Sequence, residues 1–423
     1  MGNRDLERGL PATTDTIFGI ASITKSFTAM AVGKLVELGK LSFDDPVSKH
    51  LPGFRLPGSD RRDVTVRHLL THTSGMPALD ALGITFRSHS GPDPVEPPPQ
   101  QLARPPINTY PELIDYIARF PGRPLGGPGE YFNYSNEAYA LLGALVRRVS
   151  GMPYAAFVRK HIIEPLGMHR TTYSFEEMYE HDEVTVLYTR QADGTLQAST
   201  RWPCAPAFQA AGRIKSTVED LIRPFQMYAH EGRYQGKEIL SAGVVKETTA
   251  PHHKYSLHEF YGHALHVRPG YHGVTLISHG GAGKGISSHG GFVPEKQLSA
   301  VVLTNLGGVP VIQLWGALVN LGLGLPLETP RAEYTITPWP QEVAERFCGR
   351  YASAEGNAFT ITMRDANLLI ESKTGVSEIV RVTDEVGVYK EKGLNHELRF
   401  YTDRVSGEIA GVGRGSRFIP RVH

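Results

Sequence analysis

Apolar residues in the first two thirds of the chain recur mostly at helical spacing. Downstream of Ser22 they are three or four positions apart and stop before Gly39 and Lys40, at Phe27, Met30, Ala31, Leu35 and Leu38. This spacing, with a glycine and a lysine at its end, is typical of an amphipathic helix. The same criterion predicts four further helices, at residues 111–120, 138–149, 154–163 and 221–230. Thr217 is the expected N-cap of the last one.

Beyond His263 the pattern changes from helical to alternating. Short alternating stretches separated by Gly or Pro-Glu turns predict successive strands at residues 264–267, 273–278, 285–293 and 298–304. A closing helix is expected at 311–321. Residues 325–340 contain four prolines and have the composition of a linker. From Phe347 to Val422, short alternating strands with frequent turn signals predict a small all-β barrel or sandwich.

These patterns predict an α+β fold with two folded units. The larger unit, residues 1–328, would combine an antiparallel sheet flanked by helices with a mostly helical lobe. Residues 329–344 would be a linker, and residues 345–423 a small all-β barrel. Residues 77–107 are rich in Pro, Gly and Ser and include Glu96-Pro-Pro-Pro-Gln100, so they are expected to form a long surface loop or lid.

Composition narrows the class of protein. The chain has 423 residues and a formal net charge of +1, which gives no indication of nucleic acid or anionic membrane as a partner. Its two cysteines, Cys204 and Cys348, stand far apart and predict neither a disulfide framework nor a cysteine zinc site. No apolar run approaches the length that spans a bilayer, and the N-terminus has no apolar signal region. The expectation is a cytoplasmic protein without a cofactor, whose oligomeric state, a homo-oligomer included, is left open.

The first candidate for chemistry is Ser22 with Lys25. Three residues are about one helical turn, so both side chains lie on the same side of the helix. An amine beside a hydroxyl can make a serine nucleophilic without a histidine. A single Ser-x-x-Lys is expected by chance in a chain of this length, so a solvated helix start is the competing interpretation.

Two further motifs offer groups that could complete such a site. Tyr134-Ser-Asn136 precedes an apolar helix and could supply a phenol and an amide, although Tyr131-Phe-Asn133 fits the same pattern. His279-Gly-Gly281 follows a strand, where glycines let a substrate approach the backbone; a second His-Gly-Gly begins at His289. The alternatives are a buried tyrosine that caps a loop and a glycine-rich turn.

A metal site is a weaker alternative. His68 and His72 are four residues apart, as zinc ligands on a helix can be. The segment His-Leu-Leu-Thr-His lacks the glutamate of His-Glu-x-x-His, and no third ligand is indicated.

In this order, Ser-x-x-Lys, Tyr-x-Asn and His-x-Gly resemble the serine β-lactamase and penicillin-binding protein superfamily. Longer stretches resemble its branch of class C β-lactamases, D-aminopeptidases and related esterases: 66–75, 134–136 with 141–143, 151–154, 165–168 and 212–220. The resemblance favours Tyr134 over Tyr131 and His279 over His289. His-x-Gly in place of Lys-Thr-Gly is similar to D-aminopeptidase-like peptidases. Phe347-x-Gly-x-Tyr351 resembles the start of the lipocalin-like domain that some of those peptidases carry.

The resemblance implies a β-lactamase/transpeptidase-like fold and a role for each motif. Ser22 would attack a carbonyl and form an acyl-enzyme, with Lys25 as base and Tyr134 as proton relay. The backbone N–H groups of Ser22 and Ala282 would form the oxyanion hole. Asn136, His279 and Gly281 would bind substrate, with Asn136 on the acyl-side amide.

Three functions follow in order of preference. The first is a serine hydrolase acting on amide bonds of small peptides or amino-acid amides with D-configured residues, as D-aminopeptidases do. The second is a carboxylesterase on short acyl esters, and the third is a catalytically silent peptide-binding homologue. A β-lactamase is disfavoured because Lys-Thr-Gly is absent. The C-terminal module is expected to pack near the cleft and to limit substrate length.

The resemblance also raises a question about the N-terminus. In the family a helix and about two strands normally precede Ser-x-x-Lys, whereas 21 residues precede Ser22 here. Two explanations stay open, a misplaced start codon or a sheet that lacks the family's N-terminal helix and first strands. Residues 3–11 resemble the tail of that hairpin, and a signal peptide could have been lost with the missing segment.

Overall fold

The computed structural model describes residues 2–58, 63–89, 105–391 and 393–422, with no side-chain description for 87–89. Helices dominate its first 250 residues. In chain order the helices are α1 (Thr24–Glu37), α2 (Val47–His50), α3 (Val66–Leu70), α4 (Ala81–His89), α5 (Tyr110–Ala118), α6 (Asn136–Ser150), α7 (Tyr154–Val158), α8 (Phe175–Tyr179), α9 (Gln209–Gly212), α10 (Val218–Ala229), α11 (Ala242–Thr249), α12 (Val311–Gly322) and α13 (Gln341–Phe347). Three-residue 3₁₀ turns occur at Ala21–Ile23, Pro206–Phe208 and Pro294–Lys296, and a π-helical turn occurs at Arg159–Ile163.

The strands fall into one sheet in the main body, one at the C-terminus and several short pairs. Four short strand pairs lie outside the two larger sheets in the described residues. They are β1 (Asn3–Asp5) with β2 (Leu10–Pro11), β3 (Phe18–Gly19) with β6 (Lys215–Ser216), β4 (Leu187–Arg190) with β5 (Leu196–Ser199), and β7 (Arg233–Tyr234) with β8 (Lys237–Glu238). The main sheet contains β9 (His253–Lys254), β10 (Phe260–Tyr261), β11 (His266–Tyr271), β12 (Val274–Gly283), β13 (Ile286–Val293) and β14 (Leu298–Thr304).

Two helices form the centre of the main core. Both α1 and α6 are buried on nearly all sides, through residues 24–33 of α1 and 137–146 of α6. A helix that is buried all round has no need of a polar face, and each fully buried large apolar side chain stabilises the fold by about 1.5–3 kcal/mol. Gly151, with φ 73°, ends α6 in the left-handed conformation that glycine tolerates. These two helices therefore give the residues at their N-termini a rigid support.

The main sheet is an antiparallel meander in the order β14-β13-β12-β11-β10-β9. Each strand pairs with its sequence neighbour, so tight turns suffice to connect them. Helix α12 packs on the sheet through Trp315, which is fully buried and donates its indole N–H to the carbonyl oxygen of Ala300 at 3.0 Å. The four predicted strands and the closing helix are present, with the first strand beginning at His266 rather than at Ala264.

Residues 3–11, expected to be the tail of a hairpin, form a small hairpin of their own. Strand β1 pairs antiparallel with β2, and the side-chain amide of Asn305 donates to the carbonyl oxygen of Asn3 at 3.1 Å. Strand β14 is the edge of the sheet within the described residues.

The C-terminal region forms a nearly closed antiparallel barrel of nine strands, which confirms the predicted all-β module. Its strands are β15 (Gly349–Ala352), β16 (Ala358–Arg364), β17 (Asn367–Ser372), β18 (Gly375–Glu378), β19 (Val380–Arg381), β20 (Val386–Glu391), β21 (Leu394–Thr402), β22 (Ile409–Arg414) and β23 (Arg417–Val422). The interior has its own apolar core, in which the rings of Phe347 and Phe400 stack at 3.7 Å between centroids.

Two helices lie where loops were expected. Helix α4 interrupts the predicted loop at 77–107, and its Thr85 is buried with its hydroxyl donating to the carbonyl oxygen of Ala81 at 2.9 Å. The Pro-rich flanks conceal this short helix in the sequence, and residues 90–104 of the predicted loop lie outside the described residues. Helix α13 begins at Gln341, inside the expected linker, and buries Ala344 and Phe347 in the barrel core. Within the described part of the chain, no helix is both long and apolar enough to cross a bilayer.

Candidate active site

Ser22 lies in the tight turn that joins β3 to α1. The turn is the 3₁₀ segment Ala21–Ile23, and Ala21 has φ 43°, a left-handed conformation that a non-glycine residue adopts at a cost in energy. The N–H of Ile20 donates to the carbonyl oxygen of Ile214 at 3.2 Å and holds the strand that enters the turn. The serine is thereby presented at the N-terminal end of a buried helix.

The Lys25 ammonium nitrogen lies next to the Ser22 hydroxyl, as the sequence spacing predicted. Its Nζ is 3.1 Å from Ser22 Oγ, 2.8 Å from Asn136 Oδ1 and 2.7 Å from the carbonyl oxygen of Ala211. Lys25 is 0% exposed, and among the described residues no carboxylate forms an ion pair with it. Its three partners are neutral oxygens, which orient the amine without compensating its charge.

Electrostatics favour the neutral form of this lysine. Burial holds the pKa of Lys25 well below its usual value, and the positive charge of Arg417 lowers it further, while the buried carboxyl of Glu137 acts in the opposite direction. Desolvation penalises the charged form of a buried group. A neutral amine at hydrogen-bond distance from a hydroxyl can accept its proton.

Tyr134 is the third group at this point. Its ring centroid is 4.8 Å from Lys25 Nζ, and, against the larger effect of burial, Ser22 lies close enough to the Tyr134 hydroxyl to lower the pKa of the phenol. Burial raises the pKa of Tyr134 above the ordinary range, so the phenol is protonated. It is therefore placed as a proton donor to the group that Ser22 attacks.

The loop that carries Tyr134 is held by His72. Asn133 donates its N–H to the carbonyl oxygen of His72 at 2.8 Å, and Ser135 donates its N–H to His72 Nδ1 at 3.0 Å. The His72 and Tyr134 rings lie 4.2 Å apart. His72 is 1% exposed, and burial keeps its pKa well below the usual value, so Nδ1 is free to accept. This anchoring was not foreseen from the sequence.

Asn136 is the first residue of α6 and follows the N-cap Ser135. The Ser135 hydroxyl accepts from the N–H of Ala138 at 3.1 Å, which starts the helix and fixes the direction of the asparagine. Asn136 lines the cavity beside Ser22 and accepts from Lys25.

Strand β12 approaches the serine turn closely because of Gly281. A Cβ atom at Gly281 would lie 2.2 Å from the carbonyl oxygen of Ile20 and 3.1 Å from the backbone nitrogen of Ser22. Only a glycine fits against the turn at this distance. The next residue, Ala282, lines the cavity together with Ser22, so the two backbones expected to form an oxyanion hole border the same space.

His279 lies behind this strand segment and does not line the cavity. Its ring is 2% exposed, its Nε2 is 3.0 Å from the hydroxyl of Tyr261, and its Nδ1 is 2.6 Å from the carbonyl oxygen of Gly280. Burial keeps its pKa well below the usual value. With both nitrogens engaged, the neutral ring supports β12 from behind.

The alternative motif residues are engaged elsewhere. Tyr131 stacks on Phe418 of the barrel at 4.2 Å between centroids. The His289 ring packs against Trp315 at 5.0 Å. The candidate metal ligands also have other partners, since His68 Nδ1 hydrogen-bonds with Thr65 at the start of α3 and His72 Nδ1 accepts from Ser135.

A different group of potential ligands appears in the described residues, formed by Glu247, His252 and His263, whose ligand atoms lie within 4.8 Å of one another. The two imidazole rings are stacked at 4.5 Å and 11°. A metal ion must lie in the plane of each ring that binds it, so these stacked rings would have to rotate before they could share an ion.

The cavity at the serine has a volume of about 630 Å³. Besides the residues named above, helix α4 contributes Leu82 and Phe86, and the segments on either side of the α9 helix contribute Trp202, Cys204, Arg213 and Lys215. This volume fits a ligand of the size of a small peptide or ester.

The barrel touches the site directly, as predicted for the C-terminal module. The N–H of Tyr134 donates to the carbonyl oxygen of Ser416 at 3.0 Å, and the N–H of Phe418 donates to Asn133 Oδ1 at 3.2 Å. The Arg417 guanidinium donates to the carbonyl oxygen of Tyr134, and its central carbon is 5.8 Å from the Tyr134 ring centroid. No motif in the sequence marks Arg417 as part of the site.

Comparisons with known proteins agree with this geometry. Esterase EstB of Burkholderia gladioli is 37% identical over 172 residues, which is 40% of this chain and 41% of the esterase. The octameric penicillin-binding protein homologue from Pyrococcus abyssi is 28% identical, with a TM-score of 0.69 over 99% of this chain and 91% of its own. D-amino acid amidase from Ochrobactrum anthropi SV3 is 25% identical, with a TM-score of 0.57 over 75% and 86% of the two chains. The Beta-lactamase family model matches residues 1–319. The chain is therefore a serine hydrolase of the Beta-lactamase family, within the superfamily that includes the penicillin-binding proteins.

Proposed function

We propose that this protein hydrolyses amide bonds of small peptides or amino-acid amides containing D-configured residues, through an acyl-enzyme on Ser22. The observation that carries the proposal is the buried Lys25 amine, 3.1 Å from Ser22 Oγ and bonded otherwise to neutral oxygens. An amine in this setting can take the serine proton as the hydroxyl attacks a carbonyl. Similarity to a D-amino acid amidase supports the substrate class.

In this mechanism the protein supplies positioning and charge stabilisation. Ser22 Oγ forms the new bond to the carbonyl carbon while its proton passes to Lys25 Nζ. The oxyanion is stabilised by the backbone N–H groups of Ser22 and Ala282, which border one cavity. Tyr134 donates a proton to the leaving nitrogen as the C–N bond breaks. Water then attacks the ester, its proton is taken up by the same groups, and the acid and free Ser22 are released.

The second candidate is a carboxylesterase on short acyl esters, and the similarity to an esterase favours it. Ester and amide hydrolysis share the acyl-enzyme and differ in the leaving group, since an alkoxide needs less help from Tyr134 than an amine does.

The similarity to an octameric homologue supports a homo-oligomer as the assembled form.

The test combines active-site labelling with a substrate panel. Wild-type protein is treated with a fluorophosphonate and assayed on D-alanine p-nitroanilide, p-nitrophenyl butyrate and nitrocefin. Ser22→Ala should lose both the label and turnover. Ser199→Ala is the matched control, because Ser199 lines the same cavity and, among the residues that the structure describes, its hydroxyl bonds with the backbone of Arg201.

The results of the substrate panel distinguish the amide hydrolase, the esterase and the peptide-binding homologue. Turnover of the anilide supports the amide hydrolase, and turnover of the ester alone supports the esterase. Labelling without turnover of any substrate would favour a peptide-binding homologue, and a Ser22→Ala protein that still labels and hydrolyses would contradict the assignment of the nucleophile.

A further inference from the structure

The cavity at Ser22 is lined by basic residues and by no carboxylate. Two arginines and two lysines contribute to its wall, while Asp and Glu are absent from the lining residues that the structure describes: Arg201, Arg213, Lys215 and Lys284. The chain as a whole is almost neutral, with 44 basic and 43 acidic residues, so the excess of basic residues in the cavity wall is a local feature. Among these four, Arg213 and Lys215 have the better-defined surroundings.

Lys215 is held close to the serine turn by a short strand pair. Strand β6 pairs antiparallel with β3, and Lys215 stands directly opposite Gly19, three residues before Ser22. Directly opposed residues of a pair project to the same face. A Cβ at Gly19 would meet Trp202 and Ile286, both of which line the cavity. The Lys215 side chain therefore lies on the cavity side of the strand.

Arg213 and Lys215 share the same neutral partners. Both donate to the carbonyl oxygen of Tyr173, from Arg213 Nε at 3.0 Å and from Lys215 Nζ at 3.3 Å. Both also lie over the Phe175 ring, at 4.9 and 3.6 Å from its centroid. Arg213 Nη1 is 3.6 Å from Cys204 Sγ. Within the described residues neither cation forms an ion pair.

The nearby carboxylate of Glu176 does not neutralise this pair. It lies close enough to interact with both cations through space, but it is exposed and accepts a hydrogen bond from the Ser174 hydroxyl at 2.5 Å. Lys215 is 3% exposed, and burial together with the charge of Arg213 lowers its pKa to about 7. A buried cation without an anionic partner is unfavourable. A ligand that brought a negative charge to this wall would relieve that cost.

We propose that Arg213 and Lys215 form a subsite for a carboxylate on the acyl part of the substrate. The acyl side is indicated because Asn136, the residue expected to bind the acyl-side amide, lines the same cavity. This inference rests on the proposed function and narrows its substrate class. The preferred acyl group is a dicarboxylic or otherwise anionic unit, and an ammonium placed at Arg213 and Lys215 is disfavoured because it would face the guanidinium of Arg213.

The experiment compares three activated esters of equal acyl length that differ only in the end group. They are p-nitrophenyl hydrogen adipate with a carboxylate, p-nitrophenyl hexanoate with a methyl group, and p-nitrophenyl aminohexanoate with an ammonium. Hydrolysis by Ser22→Ala is subtracted as the background, because a terminal carboxylate can assist spontaneous release of nitrophenol. The quantity compared is the ratio of kcat/KM for the anionic and the neutral ester.

For the wild-type protein the ratio should favour the adipate ester by about tenfold or more, as expected of one charge-assisted hydrogen bond, and the ammonium ester should be the poorest substrate. Arg213→Met and Lys215→Met should each bring the ratio towards one. Arg213→Lys and Lys215→Arg should retain the preference, which guards against a loss that arises only from misfolding. Lys237→Met, which removes an exposed lysine on the β7–β8 hairpin, is the charge-matched control.

Two outcomes would overturn the inference: equal kcat/KM for the adipate and hexanoate esters, or a preference that is the same in Arg213→Met and Lys215→Met as in the wild type. In both cases hydrolysis of hexanoate would leave the acyl-enzyme on Ser22 standing, and turnover of D-alanine p-nitroanilide would test the amide hydrolase separately. Loss of fluorophosphonate labelling and of all ester hydrolysis in the wild type would instead refute the proposed function itself.

Discussion

Arg417 gives the sharpest prediction, because it reaches from the barrel to the loop that carries Tyr134. Arg417→Met keeps most of the length of the side chain and removes the charge. The guanidinium carbon is 5.8 Å from the Tyr134 ring centroid, and at an effective dielectric constant of about 20 two unit charges at that separation interact by about 3 kcal/mol.

That figure is an upper limit for this site. The Arg417 side chain is 27% exposed and pairs with Glu355 at 2.9 Å, so solvent and the carboxylate screen its charge. About half of the value, roughly 1.5 kcal/mol, corresponds to about one pKa unit. Since the arginine lowers the pKa values of both Lys25 and Tyr134, its removal should raise both.

The assay is the pH dependence of kcat/KM for p-nitrophenyl butyrate. The acidic limb of this profile reports the base of the free enzyme, which is Lys25, 4.8 Å from the same Tyr134 ring, so Arg417→Met should shift that limb to higher pH by at most about one unit. At a pH on the limb, activity should fall by up to about tenfold. Arg417→Lys, which keeps the charge, should restore most of the profile.

Arg421→Met is the matched control on the same strand. Arg421 bonds to the carbonyl oxygens of Arg346 and Cys348 within the barrel, at 3.3 and 2.7 Å. A profile of Arg417→Met that coincides with the wild type would refute the electrostatic argument, and an equal shift in Arg421→Met would mean that the effect comes from a disturbed barrel.

Three further predictions concern positioning and stability. Gly281→Ala should lower kcat/KM by about a hundredfold, because its Cβ would push β12 away from the Ser22 turn; Gly283→Ala, whose Cβ would lie 3.7 Å from its neighbours, should change it little. His72→Ala should lower kcat more than it raises KM, since it frees the loop of Tyr134; a change in KM alone would contradict that role. Burial lowers the pKa of His253 and His266 to about 4 in the folded protein, so the unfolded chain binds more protons below about pH 6.5 and stability falls with falling pH there. Between pH 7.5 and 5.5 the two residues together should cost about 3 kcal/mol of unfolding free energy, to be measured by urea denaturation at each pH; a flat dependence would contradict their burial in the neutral form.

The parts of the site that lie close together along the chain could be predicted from the sequence. Spacing placed Lys25 one helical turn from Ser22 and Asn136 beside Tyr134, but it left a chance match and the Tyr131 alternative open until the resemblance favoured Tyr134. Resemblance to the family supplied the order of the motifs and the choice of His279 over His289.

Contacts between segments that are distant along the chain could not be predicted from spacing or periodicity. Arg417 stands 283 residues from Tyr134, and no periodicity links them. His72 was considered only as a metal ligand, because spacing along α3 says nothing about the Tyr134 loop that packs on it. Helix α4 was missed because the Pro-, Gly- and Ser-rich composition of residues 77–107 indicated a loop, whereas the burial of Ala81 and Thr85 depends on tertiary packing.

The hydrogen bonds between Asn133–Tyr134 and Ser416–Phe418 couple catalysis to the association of two separately packed cores. A molecule whose barrel had separated from the main body would keep Ser22 and Lys25 in place but lose the barrel's hydrogen bonds to the loop that carries Tyr134. The specific activity of a preparation is therefore expected to follow the fraction of molecules whose barrel contacts the Tyr134 loop. On heating, catalysis should fade before either core melts, as a reversible loss that spectroscopic probes of secondary structure do not detect.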